Sequence, residues 1–253
     1  MLNTIDLEKV VAIAQEAGDV IMEIYNRDFL VGYKYDKSPL TEADTKSNEI
    51  ICEALAKIYP NIPILSEENK EVPYEERKDW EYYWCIDPID GTKEFIKKNG
   101  EFTVNIALIH NDIPILGVVY APVLEEMYKA KKGEGAFKNN DRLPLTANAT
   151  PEKSLNVVAS KSHLSKETQD FIDALLKGTE QIEQVSKGSS LKLVMVAEGS
   201  ADIYPRLAPT MEWDTAAADA IVRESGKMTY QFENDTPMVY NKIDLLNPWF
   251  VVK

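Results

Sequence analysis

Only two of the 253 residues are cysteine, Cys52 and Cys85, which excludes a disulfide scaffold. They form no CxxC pair and stand in apolar surroundings, Ile-Ile-Cys52-Glu-Ala-Leu and Tyr-Tyr-Trp-Cys85-Ile, as suits buried thiols in a reducing compartment. Long apolar runs are missing as well. The first twenty residues interleave Asp6, Glu8, Lys9, Glu16 and Asp19 with apolar positions, so no signal peptide is expected, and no other segment reaches membrane-spanning length. Basic charge is in deficit, with 28 Lys and Arg against 42 Asp and Glu and a formal net charge of −14. A nucleic-acid polymer is therefore not the expected ligand, because a phosphate backbone needs a basic face. A small anion remains compatible, provided divalent cations and a few placed Lys or Arg reverse the sign locally. There is no internal repeat and no low-complexity tract. The expectation is a soluble, cytoplasmic protein, with weak peripheral membrane association left open.

What is present begins with enough apolar material, 44% of residues, for one large core or two packed lobes. Leu7, Val10, Val11, Ala14, Ala17, Ile21 and Tyr25 follow the helical period, and so do Ile50, Ile51, Ala54, Leu55 and Ile58, with Pro60 closing that second helix. Segments 62–65 and 82–86 read as buried strands. Residues 103–110, 113–121 and 126–131 read as an antiparallel meander with turns at Asn111-Asp112 and Gly133-Glu134-Gly135. Beyond Pro151 the order is mixed: a strand at 155–159, helices at 166–176 and 191–198, a strand at 202–204, and a helix at 215–224 capped by Gly226. This predicts an α+β chain of two lobes, 1–150 and 151–253, with 147–153 as linker.

The chemistry concentrates in carboxylates. Asp87-Pro88-Ile89-Asp90-Gly91-Thr92 follows an apolar strand, and is read as a loop at that strand's carboxyl end, where α/β proteins hold ligands. Asp87 and Asp90 can converge on one point with the Ile89 carbonyl between them, an oxygen-only set suited to Mg²⁺. Gly91 permits close approach, and Thr92 opens a short helix whose N–H groups can hold phosphate oxygens. The alternative is a turn in which both Asp merely cap backbone N–H groups. Leu65-Ser66-Glu67-Glu68 ends another strand in acids, and Trp213-Asp214-Thr215-Ala216-Ala217 sets an Asp at a helix start. Each has its own plain reading, a solvated loop or an N-cap. Were all to converge, two unit charges about 4 Å apart repel by about 4 kcal/mol at an effective dielectric near 20, so the cluster would require cations.

Together with Thr41-Glu42-Ala43-Asp44, these segments resemble, in order and approximate spacing, the lithium-sensitive, magnesium-dependent phosphatase superfamily that includes the inositol monophosphatases. Lys187-Gly188-Ser189-Ser190-Leu191-Lys192, Val196-Ala197-Glu198-Gly199, Ala201-Asp202-Ile203-Tyr204-Pro205-Arg206 and the Lys93-Glu94-Phe95 after Thr92 are similar to its CysQ-type 3′(2′),5′-bisphosphate nucleotidases. The resemblance implies a layered αβαβα sandwich with the site where the lobes meet. It implies two Mg²⁺, one held by Glu67, Asp87 and the Ile89 carbonyl and one by Asp87, Asp90 and Asp214, with a third, weaker ion as an option. Asp44 and Thr92, with Glu67, would activate water for in-line attack, and no phosphoenzyme would form. Asp44 could instead cap a helix starting near Thr45.

The implied substrate is adenosine 3′,5′-bisphosphate, converted to AMP by a monomer or homodimer. Gly91 and Thr92 N–H groups would hold the transferred phosphate, and Ser160, His163, Ser189, Lys192, Arg206 and Asp214 would line the substrate side. Lys192 and Arg206 suit the 5′-phosphate and His163 the base, although each cation could equally be an ordinary surface group. His110, Trp213 and Tyr204 are expected to be structural. Two other readings stay open: a phosphatase for inositol phosphate or another sugar phosphate, and a non-catalytic nucleotide- or metal-binding regulator.

Overall fold

The computed structural model describes residues 2–35, 38–145, 154–160, 164–179 and 181–253. In chain order it contains α1 (Leu7–Tyr25), a hairpin of β1 (Val31–Tyr33) and β2 (Pro39–Thr41), α2 (Glu42–Ile58), β3 (Ile64–Ser66), α3 (Tyr74–Arg77), β4 (Tyr82–Asp90) and α4 (Thr92–Ile96). A meander follows, β5 (Thr103–His110), β6 (Ile113–Ala121), β7 (Glu126–Lys131), β8 (Gly135–Lys138) and β9 (Asp141–Arg142). The chain then forms β10 (Ser154–Ser160), α5 (Lys166–Leu175), β11 (Gln181–Lys187), α6 (Leu191–Glu198), β12 (Tyr204–Arg206), α7 (Ala216–Glu224), β13 (Thr229–Gln231) and β14 (Phe250–Val252).

The central layer is a seven-stranded sheet of order β3-β4-β5-β6-β7-β8-β9, antiparallel except where β3 pairs with β4. Its inner strands are largely apolar because both faces are covered, with polar residues gathered at the end that carries Asp87, Asp90, Thr103 and Asn105. Trp84, Ile86, Val104 and Ile106 pack on one side against Val10, Ala14 and Ile21 of α1 and Ile51 and Leu55 of α2. The alternating residues Tyr83, Cys85, Ala107 and Ile109 pack on the other against Leu193, Val194 and Ala197 of α6 and Ala217 and Ile221 of α7. Each such large side chain contributes about 1.5–3 kcal/mol when fully buried. A second sheet, β12-β14-β13, lies beyond α6 and α7, contributing Tyr204, Phe250 and Val252 to the same cluster. β10 joins it by the bridge Val157↔Ile203 and carries β11 in parallel. Ile172 of α5 packs on the outer face with Val157, Ile203 and Val251. The layers are therefore α, β, α, β, α, the expected mixed sandwich.

α7 approaches the sheet closely because its face is built of Ala. A Cβ on Gly117 of β6 would sit 2.1 Å from the Ala217 carbonyl oxygen, so the helix rests on bare backbone there. The cluster under α7 draws residues from Leu65 to Val252, and so crosses the boundary expected at residue 150. The expected linker, 147–153, lies outside the described residues, as does His163.

Several elements differ from expectation. β4 does not stop at Ile86; it continues to Asp90, because Asp87 pairs with Asn105 and Asp90 with Thr103 across an irregularity between them. The acidic segment is thus the bulged end of a strand, not a loop beyond it. α2 starts at Glu42, where Thr41 caps it, and not near Thr45. The strand expected at 202–204 is displaced to Tyr204–Arg206 by pairing with β14. α7 begins at Ala216, with Thr215 at its N-cap, so Asp214 lies before the helix. Gly226 takes the left-handed conformation, φ 85°, just past its end.

Candidate active site

The irregularity in β4 separates Asp87 from Asp90, and Asp87 meets acids from other elements. Carboxylate oxygens of Glu67, at the end of β3, Asp87 and Asp214 all lie within 4.8 Å of one another. Asp87 is buried, and one of its oxygens, Oδ1, accepts the Ile89 N–H at 3.0 Å. Asp214 Oδ2 accepts the Met211 N–H at 2.8 Å, which leaves the other oxygen for the cluster. Three converging carboxylates form an oxygen-only, anionic donor set, and a hard divalent cation fits it.

The protonation energetics report the same crowding. Burial, then the Glu67, Asp90, Asp214 and Asp44 charges, push the Asp87 carboxyl well above the ordinary carboxylate range. Burial and Asp90 push Asp214 up to about 8. Asp90 rises to about 6, mainly through burial, with Lys192 and the Ser190 backbone N–H opposing. Bound cations relieve this repulsion.

Asp44 sits at the third position of α2. Its Oδ2 accepts the Thr41 N–H at 2.8 Å and the Thr41 hydroxyl at 2.6 Å, completing a capping box. Its Oδ1 accepts the Thr92 hydroxyl at 3.0 Å. One carboxylate thus caps the helix with one oxygen and orients Thr92 with the other. Thr92 follows Gly91, whose φ of 96° would strain any residue with a Cβ.

A cavity of about 270 Å³ joins these groups to the substrate-side residues, lined by Glu67, Asp87, Asp90, Thr92 and Asp214 and also by Ser160, Ser189, Lys192 and Arg206. Ser160, Lys192 and Arg206 are buried, so neither cation is an ordinary surface charge. The Lys192 ammonium donates to the Ser189 carbonyl, and Arg206 Nη2 donates to the Pro209 carbonyl at 3.0 Å. Burial lowers the Lys192 pKa to about 8, with Asp90 opposing and Arg206 adding to the fall. Tyr204 packs under Lys192, 5.7 Å from ring centre to ammonium, and His110 stacks on Tyr82 away from the site. Trp213 lines an adjoining cavity that shares Glu67 and Asp214.

Sequence reasoning missed Lys34. From the β1–β2 hairpin its ammonium reaches Glu67 Oε1 at 2.7 Å and Glu68 Oε1 at 2.6 Å. Burial works against its charge, but the two carboxylates outweigh this and raise its pKa. No motif marks it; only the hairpin pairing of Val31 with Thr41 brings it to the acids.

Residues 5–248 match the inositol monophosphatase family. The 3′(2′),5′-bisphosphate nucleotidase CysQ of Salmonella typhimurium is 44% identical over 97% of this chain and 98% of its own. The crystal structure of CysQ from Bacteroides thetaiotaomicron superposes with a TM-score of 0.86 at 43% identity, covering 98% of this chain and 96% of the other. An inositol monophosphatase from Anabaena shares the fold, with a TM-score of 0.76 at 24% identity over 98% and 89% of the two chains. Matched over nearly its whole length by the family and by full-length relatives, this chain belongs to the inositol monophosphatase family of phosphatases.

Proposed function

We propose that the protein is a Mg²⁺-dependent 3′(2′),5′-bisphosphate nucleotidase that removes the 3′-phosphate of adenosine 3′,5′-bisphosphate, giving AMP and inorganic phosphate. The observation that supports this most is one cavity holding both the Glu67, Asp87 and Asp214 oxygens and the buried cations Lys192 and Arg206. Similarity to relatives named as bisphosphate nucleotidases supports the choice of substrate.

Glu67, Asp87, the Ile89 carbonyl, Asp90 and Asp214 would hold two Mg²⁺, or three with a weaker one. When bound, these ions lower the pKa of the attacking water and neutralise the leaving ribose oxygen. The rest falls to the chain's own groups. Thr92 commits its single hydroxyl proton to Asp44 Oδ1, so its oxygen is left as an acceptor that can take a proton of the attacking water and aim it. Asp44 holds that orientation and adds negative charge beside the proton being lost. Gly91 and Thr92, at the start of α4 and lining the cavity, would hold the transferred phosphate with their N–H groups and strengthen that hold as its charge redistributes. Lys192 and Arg206 bind the 5′-phosphate away from the reacting centre, supplying binding energy that fixes the nucleotide for in-line displacement. Water attacks phosphorus, the ribose oxygen leaves, and no covalent enzyme intermediate is required.

The test is phosphate release from adenosine 3′,5′-bisphosphate, adenosine 3′-monophosphate and inositol 1-phosphate, with Mg²⁺ and with chelator. The expected result is turnover only with Mg²⁺ and the highest kcat/KM on the bisphosphate. A higher kcat/KM on inositol 1-phosphate would assign the site to sugar phosphates, and no release from any of them would leave a non-catalytic binder.

A further inference from the structure

Asp90 lines the same cavity as Glu67, Asp87 and Asp214 without belonging to the group whose oxygens lie within 4.8 Å of one another, and it stands beside a set of buried polar side chains that neither the cavity nor the acidic motifs account for. Thr103 and Asn105 lie on β5, paired with Asp90 and Asp87 respectively, and Ser190 precedes α6. All three are buried. The Ser190 hydroxyl is 2.9 Å from Asn105 Oδ1 and 2.8 Å from the Thr103 hydroxyl, and Asn105 Nδ2 faces Asp90 Oδ2 at 3.5 Å. The Ser190 backbone N–H also favours the ionised Asp90 carboxylate.

The donors and acceptors can be ordered in only one way. Asn105 Oδ1 has no proton, so Ser190 must give its single proton there. Its contact with Thr103 must then run from the Thr103 hydroxyl to the Ser190 oxygen. With Oδ1 pinned, the Asn105 amide turns its N–H toward the Asp90 carboxylate. A half-turn of that amide would set its oxygen against the ionised Asp90 carboxylate, two acceptors with no proton between them. The chain Thr103 to Ser190 to Asn105 to Asp90 is thus directional, and each hydroxyl in it fixes the next group.

We propose, resting on the metal-dependent reading above, that Ser190, set by Thr103, is a positioning residue for Asp90. It orients the Asn105 amide and its own backbone N–H toward that carboxylate, and so would hold it for a cation. Ser190 also anchors the helix whose second residue is Lys192. The group that holds the cation and the group that grips the substrate therefore share one support, contributed from two distant parts of the chain. Partners that orient a metal ligand in this way are typically worth about 10- to 100-fold in metal affinity.

The experiment is calorimetric titration of Mg²⁺ into the full chain, with melting curves in chelator and steady-state kinetics on adenosine 3′,5′-bisphosphate. Thr103→Val keeps the shape and deletes the first proton of the chain, Ser190→Ala deletes the second, and Thr103→Ser restores the first. The two deletions are expected to weaken Mg²⁺ binding by about 10-fold and lower kcat with KM little changed, whereas Thr103→Ser stays near wild type. Wild-type Mg²⁺ affinity in Thr103→Val, or Thr103→Ser as weak as Thr103→Val, overturns the inference. If Ser190→Ala does not fold, the Thr103 pair decides alone. Asp87→Asn separates the two levels. If the wild type binds Mg²⁺ and Asp87→Asn does not, only the positioning claim is at stake; if the wild type binds none, the metal reading falls and this inference with it.

Discussion

At the scale of single residues, the proposed function divides the chemistry between Asp87 and Thr92. Asp87 is the buried acid that the other carboxylates crowd, so Asp87→Asn should abolish turnover while the metal-free protein melts at or above the wild-type temperature, one repelling charge having gone. Retention of more than about a tenth of wild-type kcat, a deficit below about 1.4 kcal/mol, would contradict its role. Thr92→Ala deletes the hydroxyl bound to Asp44 but keeps the backbone N–H. It should lower kcat by about 10²-fold with KM nearly unchanged, and a change confined to KM would reduce Thr92 to a binding group. Lys192, with its pKa lowered to about 8, loses its charge as the pH rises past that value. The kcat/KM advantage of the bisphosphate over the 3′-monophosphate should therefore shrink between about pH 7 and about pH 9, and Lys192→Met should show no such decline.

Among the elements, α7 and the bulged end of β4 do the positioning. Ala217 rests on Gly117 with no room for a Cβ, so Gly117→Ala must push away the helix that follows Asp214. Overpacking of this kind costs about 1–3 kcal/mol, which for a chain of this size lowers Tm by about 2–4 °C per kcal/mol. Cation affinity should fall with it, and an unchanged Tm would show that the helix yields freely. The elements legible in the sequence were those whose own pattern decides them: α1, with its apolar stripe, and β5, β6 and β7, each bounded by turn residues. Those that were missed depend on distant partners. β11 is half-polar and forms only by lying alongside β10, and the C-terminal β14 is defined by β12 and β13. β4 was cut short because Asp and Pro read as breakers, whereas β5 carries the pairing through to Asp90. The acids Glu67, Asp87 and Asp214, whose oxygens converge, were legible because they occur in compact motifs. Lys34, Thr103, Asn105 and Ser190 were not, since nothing local distinguishes a Lys in a hairpin or a Ser before a helix from their ordinary uses.

For the whole molecule, the acidic balance of −14 and the crowded acids would, on the proposed metal-dependent reading, make cations part of stability as well as chemistry. Asp90 and Asp214 have folded-state pKa values raised to about 6 and about 8, above their values in an unfolded chain. Their contribution is fully present below the unfolded value near 3.9 and is lost as the pH rises through the raised ones. In chelator, Tm should accordingly fall between about pH 5 and about pH 8.5, and saturating Mg²⁺, which binds the ionised carboxylates, should remove most of that slope. Parallel profiles with and without Mg²⁺ would show that the cluster is not the cation site. The account as a whole turns on which phosphate leaves and what grips the other. That is read by identifying the nucleotide product of adenosine 3′,5′-bisphosphate in Mg²⁺, for the wild type and for Lys192→Ala/Arg206→Ala. Each charge-assisted contact is worth about 1.5–3 kcal/mol. The account predicts 5′-AMP with one phosphate released, and in the double variant a loss of about 10²-fold or more in kcat/KM that spares adenosine 3′-monophosphate. Release of the 5′-phosphate, or equal losses on both substrates, would contradict it.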